Sequence, residues 1–168
     1  MISAKIEKEL NKQIILEAEA SYYYLSAASW SDMSGFPGAS KFLYGHSEEE
    51  RGHMIRLFHY INDAGGHALV PEIKKMPHTF KSLYVLFQEV LKHERLVSDS
   101  INNLVETCLK EKDHSTANFL QWYVAEQHEE EKLFKTVLDK FTIAGTDGKS
   151  LFWIDKELAE ISSTIHGK

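Results

Sequence analysis

The chain has 168 residues, 43% hydrophobic and 26% charged, the balance of one globular domain with a sizeable core. Its net charge of −6 argues against nucleic acid as a partner and favours small cations. The single cysteine, Cys108, rules out an internal disulfide and fits a reducing compartment.

The N-terminal stretch, residues 1–8, carries charge and has no apolar h-region, so no secretory signal is expected. No run of about 18 apolar residues is present to span a membrane. The cytoplasm is the expected address.

Five helices are expected, in one domain covering residues 1–168. The first runs over 3–33, with Ser3 as its N-cap, and ends at the turn Ser34-Gly35-Phe36-Pro37-Gly38. The second runs over 39–64 and stops at Gly65-Gly66. Residues 67–81 hold Pro71 and Pro77 and read as a long loop. The three prolines then all fall outside the main helices. The third helix covers 82–110. Asp113 or Ser115 caps the fourth, which runs to 143 and is broken by Gly145-Thr146-Asp147-Gly148. A short fifth helix covers 149–164.

The long loop sets the topology. A helix of about 26 residues is roughly 39 Å long, and a loop of about 15 residues reaches roughly 50 Å. It can therefore cross the full length of a bundle, while the short connections force antiparallel neighbours. The expected fold is all-α, a four-helix bundle with one long crossover running up, down, down, up, plus the short fifth helix.

Polar residues interrupt the apolar stripes of these helices. Glu17 lies within Leu10, Ile14, Ser21, Tyr24 and Ala28. Glu50 and His53 lie within Leu43, Leu57 and Ile61. Glu94 lies within Leu83, Phe87, Val90, Val97, Ile101, Leu104 and Cys108. Gln127 and Glu130 lie within Leu120, Tyr123, Phe134, Val137 and Phe141. Three- and four-residue steps put each set on one helix face. The helix midpoints fall near residues 18, 51, 96 and 129, so the interruptions meet at one level whichever way each helix runs.

A buried, unpaired carboxylate costs several kcal/mol. The stripes contain no lysine or arginine to offset it, so a metal cation is expected. Carboxylates with one imidazole suit Fe²⁺ or Mn²⁺. Absence of cysteine ligands argues against iron–sulfur or structural zinc. Four carboxylates balance two divalent ions, with Glu50 as the natural bridge. Tyr24, Trp122 and Tyr123 read first as core aromatics; Tyr24 is also placed to support the site. Cys108 reads as a buried core residue. His93 and His128 lie off the stripes and read as solvated.

The run Glu48-Glu49-Glu50-Arg51-Gly52-His53, with Glu17, Glu94 and Glu126-Gln127-His128-Glu129-Glu130, resembles the bacterial non-haem ferritins. The resemblance extends from about residue 6 to 161. It implies that Glu17 and His53 bind one iron, that Glu94 and Glu130 bind the other, and that Glu50 bridges. It implies that Gln127 sits beside the pair and Tyr24 beside the centre. Glu49, Glu126 and Glu129, with Glu130 shared, match the family's third, weaker iron site. Bacterioferritins repeat Glu-x-x-His in the fourth helix, where this chain has Gln127 and Glu130. They also place the haem-ligating methionine where Arg51 stands, so no haem is expected.

The resemblance implies a ferroxidase that oxidises Fe²⁺ with O₂ or H₂O₂ and stores Fe³⁺ inside a shell of twenty-four subunits. The fifth helix would line the four-fold axes. Phe152, Ile154, Leu158 and Ile161 give that helix an apolar side suited to assembly. Two other functions remain open on the residues alone. One is a small di-iron or di-manganese redox enzyme that accumulates no metal. The other is a helical interaction module that binds none.

Overall fold

A computed structural model describes residues 1–166, and its regular structure is wholly helical: α1 (Ala4–Met33), α2 (Pro37–Asp63), α3 (Leu83–Lys110), α4 (His114–Ala144) and α5 (Gly148–Ile165). No helix among the described residues is long and apolar enough to cross a membrane.

The helix starts are written in local side chains. Ser3 accepts from the Ile6 N–H at 3.3 Å, Ser82 from Val85 at 3.2 Å, and Asp113 from Thr116 at 2.9 Å. Asp113, not Ser115, is thus the cap of α4. One sequence expectation needs correction: Pro37 lies inside a helix, at the first position of α2. Proline is tolerated there because that N–H has no intrahelical partner to lose. Between α4 and α5, Gly145 takes φ 91°, a left-handed conformation that glycine adopts without Cβ strain. Asp147 then accepts from the N–H groups of Lys149 and Ser150 at 2.9 and 3.1 Å and starts α5.

The crossover runs along α1. Asn11 donates to the His67 carbonyl at 3.0 Å and accepts from Leu69 N–H at 2.8 Å. Further up α1, Lys74 pairs with Glu19, and Ser26 donates to the Pro77 carbonyl. Phe80 then packs against Tyr23 and Trp30. The chain leaves the foot of α2, where Ile2 N–H meets the Ala64 carbonyl at 3.2 Å, and climbs to the head of α3. The order is up, down, down, up, as expected.

The core divides in two. One cluster holds Tyr24, Phe42, Leu43, Phe87, Phe134 and Phe141, closed at its side by Ile154 and Leu158 of α5. The other holds Ile6, Leu10, Ile14, Leu57, Ile101, Leu104, Cys108 and Leu120. Each such side chain contributes about 1.5–3 kcal/mol on burial. Between the clusters lies a polar layer formed at the helix midpoints, and that layer is the candidate site. The bundle therefore supplies two apolar walls that keep water away from a charged floor.

The fifth helix is held by a charge. Asp155 is nearly buried and accepts from the N–H groups of Gly38 and Ala39 at 3.0 and 2.7 Å. Phe36, the N-cap of α2, offers no side-chain acceptor, so α5 caps α2 from across the fold.

Candidate metal centre

Glu17, Glu50, His53, Glu94, Gln127 and Glu130 are all buried, none more than 6% exposed, although every one carries a polar or charged head. They come from four helices to one level. On one side, ligand atoms of Glu17, Glu50 and His53 lie within 4.8 Å of one another. His53 Nδ1 is 3.0 Å from Glu50 Oε2 and 3.7 Å from Glu17 Oε2. On the other side, Glu94 accepts from the Tyr24 hydroxyl and from Gln127 Nε2 at 3.0 Å. Gln127 also donates to the Glu94 backbone carbonyl at 3.2 Å, which fixes its amide.

The electrostatics record crowding. Burial pushes the Glu50 carboxyl well above the usual carboxylate range; His53 opposes this, while the charges of Glu17 and Glu94 add to it. Burial and the Glu130 charge push Glu94 up to about 7, against the hydrogen bonds from Tyr24 and Gln127. Burial also raises Glu17, but the contacts with His53, Glu50 and Gln13 outweigh it and leave that carboxyl below its ordinary value. Burial lowers His53, yet Glu17 and Glu50 hold its imidazolium so firmly that its pKa rises to about 11. A proton on His53 thus supplies positive charge that the carboxylates otherwise lack. No lysine or arginine is buried among the described residues.

Two carboxylate oxygens of this layer still have no hydrogen-bond partner: Glu17 Oε2 and Glu130 Oε2. Leaving such an acceptor unpaired costs about 1–3 kcal/mol, more when it is charged. Hard oxygen donors left open beside an imidazole are a donor set for divalent first-row cations.

Glu49, Glu126 and Glu129 lie outside this buried layer. With Glu130 they line a cleft of roughly 670 Å³ whose other walls include Lys140, Ile161 and Ile165. Ligand atoms of Glu49, His53 and Glu126 come within 4.8 Å of one another, whereas Glu129 is exposed on the rim. Tyr24 is fully buried, and burial and the charges of Glu94, Glu130 and Glu50 raise its hydroxyl well above its ordinary pKa, so it stays a hydrogen-bond donor.

Sequence reading passed over two buried residues of the layer. Gln13 donates to Glu17 Oε1 at 2.8 Å and is itself held by Ser100 at 2.7 Å. His46 puts Nε2 3.5 Å from Glu130 Oε2. Both stand one turn before a site glutamate, at i−4, and that spacing is the signal that marks them. His93 needs correction: it is half-buried and stacks on Tyr23, with ring centroids 6.3 Å apart, and burial lowers its pKa. His128 is exposed, as expected.

Residues 7–144 match the family description of the ferritin-like domain. A "Probable bacterial non-heme ferritin-like protein" of Haemophilus influenzae is 47% identical over 163 residues, covering 97% of this chain and 99% of that one. A bacterial non-heme ferritin of Escherichia coli is 42% identical over the same coverage. Among solved structures, an open-pore ferritin of the archaeon Archaeoglobus fulgidus superposes with a TM-score of 0.92 at 38% identity, over 95% of this chain and 98% of that one.

Proposed function

The chain belongs to the ferritin family, and on that footing we propose that it stores iron as one 168-residue unit, oxidising Fe²⁺ within the buried layer and holding Fe³⁺ as a mineral in a shell of identical subunits. The observation that carries this reading is the pair of unpartnered buried oxygens, Glu17 Oε2 and Glu130 Oε2, in one buried layer of carboxylates and imidazole.

Glu17 and His53 take one Fe²⁺, Glu94 and Glu130 the other, and Glu50 lies between them. Each ion gives up one electron. The pair reduces O₂ with two protons to H₂O₂, or reduces H₂O₂ with two protons to two waters. Anionic oxygens favour the product because Fe³⁺ gains more from them than Fe²⁺ does. Tyr24 and Gln127 orient Glu94 by donating to it, as groups behind a metal ligand commonly do. Glu49, Glu126 and Glu129, sharing Glu130, form a weaker third position on the cleft, through which Fe³⁺ leaves. Arg51 follows Glu50 where a haem ligand would be required, and no haem takes part. The protein works in the cytoplasm.

Twenty-four subunits close the shell. Of the α5 residues expected to serve assembly, Ile154 and Leu158 instead pack into this bundle's own core, with Ile161 against it, whereas Phe152 and its neighbour Trp153 are 64% and 45% exposed, large apolar side chains that a neighbouring subunit would cover. Size-exclusion chromatography followed by an iron count tests this function. A particle of several hundred kilodaltons carrying far more than two irons per chain is expected. A dimer with two metals per chain would make it a redox enzyme, and a metal-free monomer an interaction module.

Two further outcomes follow from the geometry. First, ion binding needs neutral His53 and ionised carboxylates. In the metal-free site His53 is held as imidazolium, with its pKa raised to about 11, while burial pushes Glu50 upward and Glu94 up to about 7. Binding therefore expels protons, and affinity rises with pH. Each proton expelled is worth about tenfold per pH unit. Calorimetry with redox-inert Zn²⁺ should show binding at least about tenfold weaker at pH 6 than at pH 7, with buffer-dependent heat from proton release. Affinity independent of pH would count against this assignment of protons. Second, Gln127→Glu replaces a donor to Glu94 with an anion. It should hold Fe³⁺ longer at the centre and slow its regeneration, read as slower oxidation of a second Fe²⁺ addition. An unchanged second addition would contradict that.

A further inference from the structure

Beside the buried iron layer stands a second cluster of different chemistry, which shares only Glu49 with the third position proposed above. His46, Glu49 and His166 bring one ligand atom each within 4.8 Å of one another. His46 is 1% exposed, and its Nδ1 lies 2.9 Å from the Phe42 carbonyl. A carbonyl only accepts, so Nδ1 carries the hydrogen, and Nε2 is the nitrogen that faces the cluster. Nε2 is buried without a hydrogen-bond partner, and Glu130 Oε2 lies 3.5 Å from it.

His166 arrives from the C-terminal end of α5. Its Nε2 is 3.1 Å from Glu49 Oε2, and its Nδ1 is 3.4 Å from the Ser162 hydroxyl, which is itself buried. The two imidazoles meet edge to face with centroids 4.7 Å apart. A glycine makes room for this. A Cβ placed on Gly45 would stand 2.1 Å from His166 Nδ1, so only glycine lets the ring lie on α2. Both imidazoles thus have Nδ1 held by an oxygen of the fold, which leaves Nε2 of each for the cluster, the arrangement that fixes histidine ligands.

We propose that His46, Glu49 and His166 form a divalent-cation site, distinct from the carboxylate-rich iron layer, that takes a borderline ion such as Zn²⁺ or Fe²⁺. Two imidazoles and one carboxylate select such ions over Mg²⁺ or Ca²⁺. Bonds of about 2.1 Å reach atoms up to about 4.2 Å apart, so a small rotation of His166 closes the three ligands on the ion. The site opens to the cleft through Glu49, and its two imidazoles, His46 and His166, have no part in the iron-oxidising reading.

The test is Zn²⁺ alone, soaked into crystals of the assembled protein and located by anomalous scattering, with Zn²⁺ binding measured by calorimetry in solution. The expected result is a peak bounded by His46, Glu49 and His166. In His166→Ala the peak should vanish, with affinity at that position lower by at least about tenfold. Gly45→Ala keeps all three ligands but drives its Cβ into the His166 ring, and it should weaken the same peak. No peak in the unmodified protein, or a peak unchanged in His166→Ala, overturns the proposal. Peaks at Glu17, Glu50 and His53 are read in the same map. Their absence would strike the iron reading and leave this one standing; their presence without the outer peak would do the reverse.

Discussion

Glu50→Gln should cut the initial rate of Fe²⁺ oxidation by roughly a hundredfold or more while leaving the fold intact. Loss of groups that merely support a metal ligand costs about 10–100-fold, and Glu50 is the carboxylate proposed to bridge the two ions. The amide keeps the size of the carboxyl but cannot supply a bridging anion. Stability should hardly change, because burial disfavours the charged form of Glu50 in the metal-free protein and the neutral amide has the same size. We expect a melting temperature within about 3 °C of the parent, the shift produced by about 1 kcal/mol in a chain of this length. Stopped-flow oxidation and thermal unfolding of the same preparation check both halves. A variant that oxidises iron at the parent rate would remove Glu50 from the mechanism. One that fails to fold would show that the carboxylate has a structural duty not seen here.

Asp155→Ala should unseat α5 and with it the shell. The carboxylate accepts from two N–H groups at the start of α2, whose own N-cap offers nothing. Its removal strands those donors in a nearly buried place and leaves the positive end of the helix dipole uncompensated. That costs about 1–3 kcal/mol, or roughly 3–9 °C in melting temperature for a chain of this length. The larger effect is on assembly, because α5 carries the exposed Phe152 and Trp153. Size-exclusion chromatography should show small oligomers in place of the full particle. Gly38→Val tests the same joint from the other side, since a Cβ there would lie 1.9 Å from the Asp155 carbonyl oxygen. Intact shells with unchanged melting in both variants would show that α5 is held by other contacts.

Periodicity made most of this structure readable. Glu17, Glu50, Glu94 and Glu130 stood out because a carboxylate on an apolar stripe is costly, and nothing cationic shared the stripes. The crossover was readable because residues 67–81 held two prolines and had the length to climb the bundle. What stayed hidden was of two kinds. Gln13 and His46 lie on the same stripes, but an amide or imidazole there is a common core residue, and only their neighbours Glu17 and Glu130 give them meaning. Asp155 and His166 act on α2 from more than a hundred residues away. Local sequence rules do not reach across that separation, and Pro37 was misplaced because its helix is capped by that distant carboxylate. Tyr24 read as a core aromatic, which it is; its hydroxyl on Glu94 depended on how α1 and α3 pack.

The most direct measurement is an anomalous-scattering map of crystals soaked in ferrous salt without oxygen. Two iron peaks about 3.5–4 Å apart should appear inside the bundle, one against Glu17 and His53, the other against Glu94 and Glu130, with Glu50 touching both. Iron bound only on the outer surface, with those four glutamates turned away from one another, would contradict the account.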